Sequence, residues 1–417
     1  MAGGHNEEDD LPKIRKSIYE VGAADGKNKG QKEGEKKNNL WKTILSDVAQ
    51  RDGLKDSWLL MLGDKGCGKR SLVKEINSKH ILGRNSKLPV EKMGSDFAAL
   101  DFSFLYCKDL SDKEQRNVIV DPEDNTSKLN VLTVADSQNM DLVETVLKPA
   151  YLENLVVAIV LDLDQPWDLM QSLQKWMKAL QSLLFRILPE MQPGLYEKMK
   201  KKLVDHWKLF EEPQLDDQGN LIKKLVPEKA EVDSEGEQME PEEDVRLAIE
   251  LPEGVLKVNL GVPIVVVVQK VDVLLHGDKR QFLEQNLDFI QKHIREYCLQ
   301  YGAAVVFTSA NSDRNLDVFY QYLVHRLYSY DFKYSPEIIE RDNLFLPAGF
   351  DSHNLIDQLS KAANIATEDV NGKPILYEDV IAEPSSKSGN AQSNRNSVQK
   401  SKIEECADWN SLLLDKI

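Results

Sequence analysis

The sequence contains little cysteine and no long apolar run, and both absences exclude classes of protein. Four cysteines occur in 417 residues, Cys67, Cys107, Cys298 and Cys406, and no two of them have CxxC spacing. This pattern is not that of a disulfide-rich secreted scaffold or of a zinc site, and no metal is predicted. No stretch approaches the roughly 20 apolar residues that cross a bilayer, and the polar N-terminus has no signal core. We therefore predict a cytoplasmic protein without membrane insertion.

An excess of positive charge is also missing. The formal net charge is −16 and the isoelectric point is about 5.1. A chain of this charge repels phosphate-rich partners on average, so we predict that it binds neither nucleic acid nor anionic membrane through bulk electrostatics. A protein is the expected partner.

Composition divides the chain into one large domain and polar flanking segments. Residues 1–38 are rich in Gly, Asn, Glu and Lys. They offer too little apolar surface to offset the entropy of ordering, so we predict a disordered leader. The domain is predicted at 39–383, and a polar linker follows at 384–402. Apolar residues reappear at 403–417.

An acidic block interrupts the predicted domain. Ten acidic residues lie between Glu228 and Glu250, both included, against two basic ones, Lys229 and Arg246. Like charges at this density repel one another, so we predict a surface loop at about 211–254.

Short apolar runs alternate with helical periods from Ser57 onward. Continuous runs of Val, Ile and Leu are typical of strands buried on both faces of a mainly parallel sheet. The runs cover 58–62, 131–134, 156–161, 264–268 and 303–307, and 97–105 is a candidate edge strand. Apolar residues repeat at helical spacing in 39–50, 169–187, 283–297 and 316–327. The alternation predicts a doubly wound α/β domain.

A glycine-rich loop of the form G-x-x-x-x-G-K follows the first predicted strand and precedes a helical stretch. It consists of Gly63, Asp64, Lys65, Gly66, Cys67, Gly68 and Lys69. Glycines let successive backbone N–H groups curl around a phosphate, and the lysine neutralises charge on its oxygens. The segment is therefore a predicted nucleotide-binding P-loop.

The residue after that lysine departs from the pattern. P-loop enzymes have Ser or Thr there, and its hydroxyl holds the magnesium at the β- and γ-phosphates. This chain has Arg70, and Ser71 comes one residue late, which turns its side chain by about 100° around the helix. The guanidinium of Arg70 can pair with a phosphate in the metal's place without arranging octahedral coordination. We therefore predict a degenerate site with no catalytic residues, in a chain that is not an enzyme.

The second phosphate-site motif also differs from the corresponding motif of an active enzyme. At the end of the strand 131–134, Asp136 matches the aspartate of the D-x-x-G box of a Ras-like enzyme. Asn139 and Met140 replace the glycine and the glutamine that orients the attacking water. Metal-assisted hydrolysis is disfavoured at this box as well.

Two later segments match boxes that recognise the base. Lys270 and Asp272 fit N-K-x-D with Gln269 in place of Asn, and Ser309 and Ala310 resemble the final S-A loop. Each match alone is weak, because a charged residue after a strand is usually a solvated loop residue. Their order and their placement at strand ends favour a Ras-like P-loop domain, since ligands of open α/β sheets bind at that edge.

Longer strings resemble one family. The sequences NLDFIQKHIREYCLQYGAAV at 286–305 and FLPAGFD at 345–351 closely resemble signature stretches of dynein light intermediate chains. Shorter matches are NLW at 39–41, QPW at 165–167 and NLGVPI at 259–264. Long ordered strings are far more specific than short motifs.

The resemblance implies a Ras-like domain on the tail of the dynein heavy chain. It also implies a C-terminal arm that links the cytoplasmic, microtubule-associated motor to coiled-coil or globular cargo adaptors, for minus-end-directed transport. At 403–417, Trp409, Leu412 and Leu413 fit a helix that docks in a groove of such an adaptor. The alternative is a tail that folds back on the domain or has no partner.

Two functions are consistent with these residues. In the first, the chain is a non-catalytic accessory subunit that requires no cofactor. In the second, it is a switch that binds a guanine nucleotide and whose occupancy regulates assembly; ATP suits the site less well if Lys270 and Asp272 face the base.

Overall fold

The computed structural model describes residues 57–80, 98–107, 127–216, 221, 246–275, 279–366, 373 and 375–383. Several predicted segments lie outside these residues. They are the leader, the helix at 39–50, most of the acidic block, the linker, and the segment 403–417 with Trp409, Leu412 and Leu413.

The described part of the chain forms a seven-stranded sheet in the order β2-β3-β1-β4-β5-β6-β7. The five central strands are parallel, and the two edge strands β2 and β7 are antiparallel to their neighbours. The strands are β1 Ser57–Leu62, β2 Leu100–Cys107, β3 Ser127–Val134, β4 Leu155–Asp162, β5 Ile264–Gln269, β6 Ala304–Phe307 and β7 Phe345–Leu346.

Helices cover both faces of this sheet. Helices α3 and α5 pack on one face, and α1 and α6 pack on the other. The helices are α1 Lys69–His80, α2 Met140–Val146, α3 Leu169–Ile187, α4 Leu195–Lys208, α5 Arg280–Tyr301, α6 Leu316–Tyr328, α7 His353–Ala362 and α8 Tyr377–Val380. Short 3₁₀ turns connect several of them, including Ser137–Asn139, Pro166–Asp168 and Val271–Leu274.

The two cores explain the unbroken apolar runs of the central strands β1, β4 and β5. Leu60 and Leu62 of β1 point into the core beneath α3 and α5, whereas Leu59 and Met61 point into the core beneath α1 and α6. Side chains of a strand alternate between faces, so burial of both faces demands an unbroken apolar run.

The predicted fold class is confirmed as an α/β domain with a doubly wound, mainly parallel sheet. The five predicted apolar strands and the candidate edge strand are all present. Within the described residues, no helix has both the length and the apolar character that crossing a membrane requires.

One buried ion pair fixes the chain after β7 to the sheet's helical layer. Arg295 of α5 is buried and donates two hydrogen bonds to Asp351, from Nε to Oδ2 at 2.8 Å and from Nη2 to Oδ1 at 2.6 Å. Such bidentate pairs have both geometric specificity and strength.

We predict that Asp351→Ala lowers the free energy of unfolding by about 3–5 kcal/mol, because it leaves the Arg295 guanidinium buried without a partner. The matched control is Glu284→Ala, which breaks the exposed pair between Arg280 and Glu284. That change should cost less than about 1 kcal/mol. Urea denaturation measures both values, and equal losses would contradict this account of the pair.

Candidate nucleotide site

The predicted P-loop lies at the carboxyl end of β1 and leads into α1. Gly63, Gly66 and Gly68 have φ angles of 148°, 87° and 98°, which side chains rarely adopt. A Cβ on Gly63 would lie 2.4 Å from the carbonyl oxygen of Val160 on β4. The loop therefore owes its path to glycine at a point where it packs directly against the neighbouring strand.

The ammonium of Lys69 is enclosed by this loop. Its side chain donates hydrogen bonds to the carbonyl oxygens of Gly63 and Asp64, the latter at 2.9 Å, and lies 3.7 Å from Cys67 Sγ. Lys69 is only 7% exposed, and burial lowers the pKa of its ammonium below the usual value. An ammonium has three donors, so a phosphate would take the donor that now faces the weak sulfur acceptor.

Asp64 ties the loop to α3. Its carboxylate accepts hydrogen bonds from Lys175 Nζ, from Ser172 Oγ at 2.5 Å and from Trp176 Nε1 at 3.2 Å. Burial opposes ionisation of this carboxyl, but the hydrogen bonds and the charge of Lys175 outweigh it and hold the pKa of Asp64 below its ordinary value. Helix α3 thus holds the loop through a charged group.

Arg70 points to β2. Its Nε lies 3.1 Å from Oδ2 of Asp101, a carboxylate in an edge strand that is only 8% exposed. From the sequence, this guanidinium was a candidate partner for a phosphate, but in the structure it pairs with a protein carboxylate. Ser71 is exposed.

The residues present do not fit a magnesium site of the usual P-loop kind. Arg70 occupies the position of the ligating hydroxyl, and a cation paired with Asp101 would repel a metal. Within the described ranges, no group of three or more His, Cys, Asp or Glu side chains could hold a metal ion.

The residues after β3 that match the D-x-x-G box have structural roles. Asp136 is exposed and caps the turn Ser137–Asn139 by accepting a hydrogen bond from the Gln138 N–H at 3.4 Å. Met140, where a water-orienting glutamine would stand, is buried in the core.

The structure brings the predicted base-recognition residues together. The Asp272 carboxylate accepts hydrogen bonds from Ser309 Oγ at 2.6 Å and from Asn311 Nδ2 at 3.1 Å. Burial raises the pKa of Asp272, but these bonds outweigh it, so the pKa lies below the ordinary value. The Ala310 N–H donates to Gln269 Oε1 at 3.4 Å.

An ion pair restrains the side chain of Lys270, which is therefore not free to lie over a base. Its Nζ lies 2.5 Å from Oδ2 of Asp162 at the end of β4. The predicted base-recognition residues thus lie close together, although other protein groups already bind both of their charged side chains, Lys270 and Asp272.

A cavity of about 310 Å³ opens beside the P-loop, between the loop, the segment after β4 and the start of α3. Its lining residues are Asp64, Lys65, Cys67, Asp162, Gln165, Asp168, Leu169, Gln171, Ser172 and Lys175. None of the base-box residues line it. Its three carboxylates outnumber its two lysines, Lys65 and Lys175, so the net negative charge of the lining opposes a phosphate.

The sequence did not reveal the side chains that restrain the loop. Asp162 follows a predicted buried strand, so its place at the carboxyl edge was a usable signal. Asp101, Ser172 and Lys175 lie within a strand or a helix, where a polar residue normally indicates a solvated face.

Comparison with known proteins agrees with the fold. The family model described as Dynein light intermediate chain (DLIC) matches residues 35–401. The chain is similar to cytoplasmic dynein 1 light intermediate chain 1 of Homo sapiens, with 28% identity over 83% of this chain and 59% of the relative. It is 30% identical to the Mus musculus protein of that name, over 83% of this chain and 59% of the relative. The chain thus spans 59% of the length of these relatives.

A solved structure shows the same fold. The crystal structure of the dynein light intermediate chain's conserved domain aligns with a TM-score of 0.51 and 18% identity, covering 79% of this chain and 99% of that chain.

We predict that Gly63→Ala destabilises the chain more than Gly66→Ala. Gly66 has open space around the added Cβ, so alanine there meets only backbone strain of about 1–2 kcal/mol. Gly63→Ala adds the collision with the Val160 carbonyl and should cost about 1–3 kcal/mol more in the free energy of unfolding. Chemical denaturation of both variants checks the difference, and equal costs would refute the close packing of the loop on β4.

Proposed function

Since the chain belongs to the dynein light intermediate chain family, we propose that it is a non-catalytic accessory subunit of the cytoplasmic dynein motor. In this proposal the α/β domain docks on the tail of the heavy chain. The C-terminal arm binds coiled-coil or globular cargo adaptors, so that the motor carries cargo toward microtubule minus ends in the cytoplasm.

One observation supports a scaffold over an enzyme: protein groups already engage three charged side chains in and beside the P-loop. Lys69 binds the carbonyls of its own loop, Asp64 binds α3, and Arg70 pairs with Asp101. Catalysis of phosphoryl transfer depends on positioned cations at the phosphate oxygens. A loop arranged in this way is suited to holding the domain together.

A second candidate function is a guanine-nucleotide switch. The arrangement of Asp272 with Ser309 and Asn311 favours it, because an ionised carboxylate at this place can accept hydrogen bonds from guanine. Adenine offers a different pattern of donors, so ATP is the poorer ligand for Asp272. The pairing of Lys270 with Asp162 and of Arg70 with Asp101 argues against tight nucleotide binding.

We predict that the purified chain hydrolyses GTP and ATP no faster than its Lys69→Ala variant, since neither a metal ligand nor a water-orienting glutamine is in place. Lys65→Ala, which alters an exposed lysine of the same loop, is the matched control. Phosphate release under excess nucleotide and magnesium measures the rates. Turnover that requires both Lys69 and magnesium would overturn the non-catalytic assignment.

The arm has a separate prediction. Replacing Trp409, Leu412 and Leu413 together with alanine should abolish capture of cargo adaptors, because apolar anchors supply most of the energy of a helix in a groove. Heavy chain should remain bound. Co-precipitation of both partners with the tagged chain measures the outcome, with Asp408→Ala as the control in the same segment. Undiminished adaptor capture by the triple variant would refute the role of these residues.

A further inference from the structure

The last described segment of the chain packs beside the P-loop cavity. This segment, residues 375–383, is called the strap here, and it contains the short helix α8. Tyr377 and Ile381 anchor it, with exposures of 5% and 1%. The described chain therefore ends, before the predicted C-terminal arm, in an element that is anchored in the core.

Tyr377 makes the central contacts of the strap. Its hydroxyl donates a hydrogen bond to the carbonyl oxygen of Pro166 at 2.6 Å. Its ring stacks on Phe289 with centroids 6.1 Å apart and meets His293 edge-on at 5.5 Å, both on α5. Burial, followed by the charges of Glu378 and Asp168, raises the pKa of the Tyr377 hydroxyl, so it remains a proton donor at neutral pH.

The acceptor of that bond belongs to the turn Pro166–Asp168. The last residue of this turn, Asp168, lines the cavity together with Asp64 and Lys65 of the P-loop. Burial raises the pKa of Asp168, and the negative charges of Glu383 and Asp64 raise it further. The charge of Asp168 therefore interacts with Glu383 at the end of the strap and with Asp64 in the P-loop.

The same turn leads directly into α3. Leu169, the first residue of α3, is buried, and the next turn carries Ser172, which binds Asp64. A displacement of Pro166–Asp168 must therefore move the first turn of α3, on which the P-loop is held. Contiguous contacts of this kind, through a buried hydrogen bond and the chain itself, carry a shift from one element to the next.

We propose that the strap and the P-loop form one coupled unit, joined by the turn Pro166–Asp168. Loosening of the P-loop loosens the strap, and release of the strap loosens the P-loop. The strap, which precedes the predicted C-terminal arm, therefore responds when a ligand fills the cavity or when the residues that line it move. This inference concerns contacts within the domain and does not depend on the proposed function.

Reciprocity is the test, because a coupling free energy acts equally in both directions. Hydrogen–deuterium exchange is measured on the full chain, in peptides that cover the strap, the P-loop and α6. Tyr377→Phe removes the bond to Pro166, and Lys175→Met removes one support of Asp64. Tyr334→Phe is the control, since it removes a hydroxyl that accepts a hydrogen bond from Gln321 elsewhere in the domain.

Tyr377→Phe should raise exchange in the strap and in the P-loop by roughly five-fold, as loss of one hydrogen bond predicts. Lys175→Met should raise exchange in both places as well, and Tyr334→Phe in neither. If each variant affects only its own segment, the coupling does not exist. Helix α6 packs on the opposite face of the sheet. If Tyr377→Phe or Lys175→Met raised exchange in α6 as much as in the strap and the P-loop, the proposal would also be overturned, because the effect would not be specific to the turn Pro166–Asp168.

Discussion

Enclosure of the Lys69 ammonium by the carbonyls of Gly63 and Asp64 is the constraint around which the rest of the site is arranged. A buried cation is costly unless oxygen acceptors surround it, and here the loop itself supplies them. Asp64 is in turn fixed by Ser172, Lys175 and Trp176 of α3. The loop therefore keeps its path through contacts within the protein.

Contacts with the sheet explain how the loop keeps its conformation although residues that catalysis would need are missing. Packing of Gly63 against Val160 places the loop at the carboxyl end of β1, against the neighbouring strand β4. Arg70 joins α1 to the edge strand β2 through Asp101. Removal of any one of these contacts would disturb elements that also hold the fold, so these contacts contribute to stability.

Hydrophobic pattern was sufficient to predict the central sheet and its longest helices, because strands buried on both faces and helices buried on one have distinct periods. It could not predict β7, whose two residues are too short for a period, or α4, where five lysines obscure the apolar stripe. In the site, the P-loop and base boxes followed from glycine spacing and strand ends. The partner of Arg70 did not, because Asp101 lies 31 residues away and only the folded sheet brings the two together.

We propose that the P-loop is held by protein contacts and needs no nucleotide. The most direct test is to purify the chain with magnesium present throughout, denature it, and separate the released small molecules by ion exchange. We predict a folded protein that releases no nucleotide. Release of GDP or GTP at one equivalent per chain would contradict it and would establish the switch in place of the scaffold.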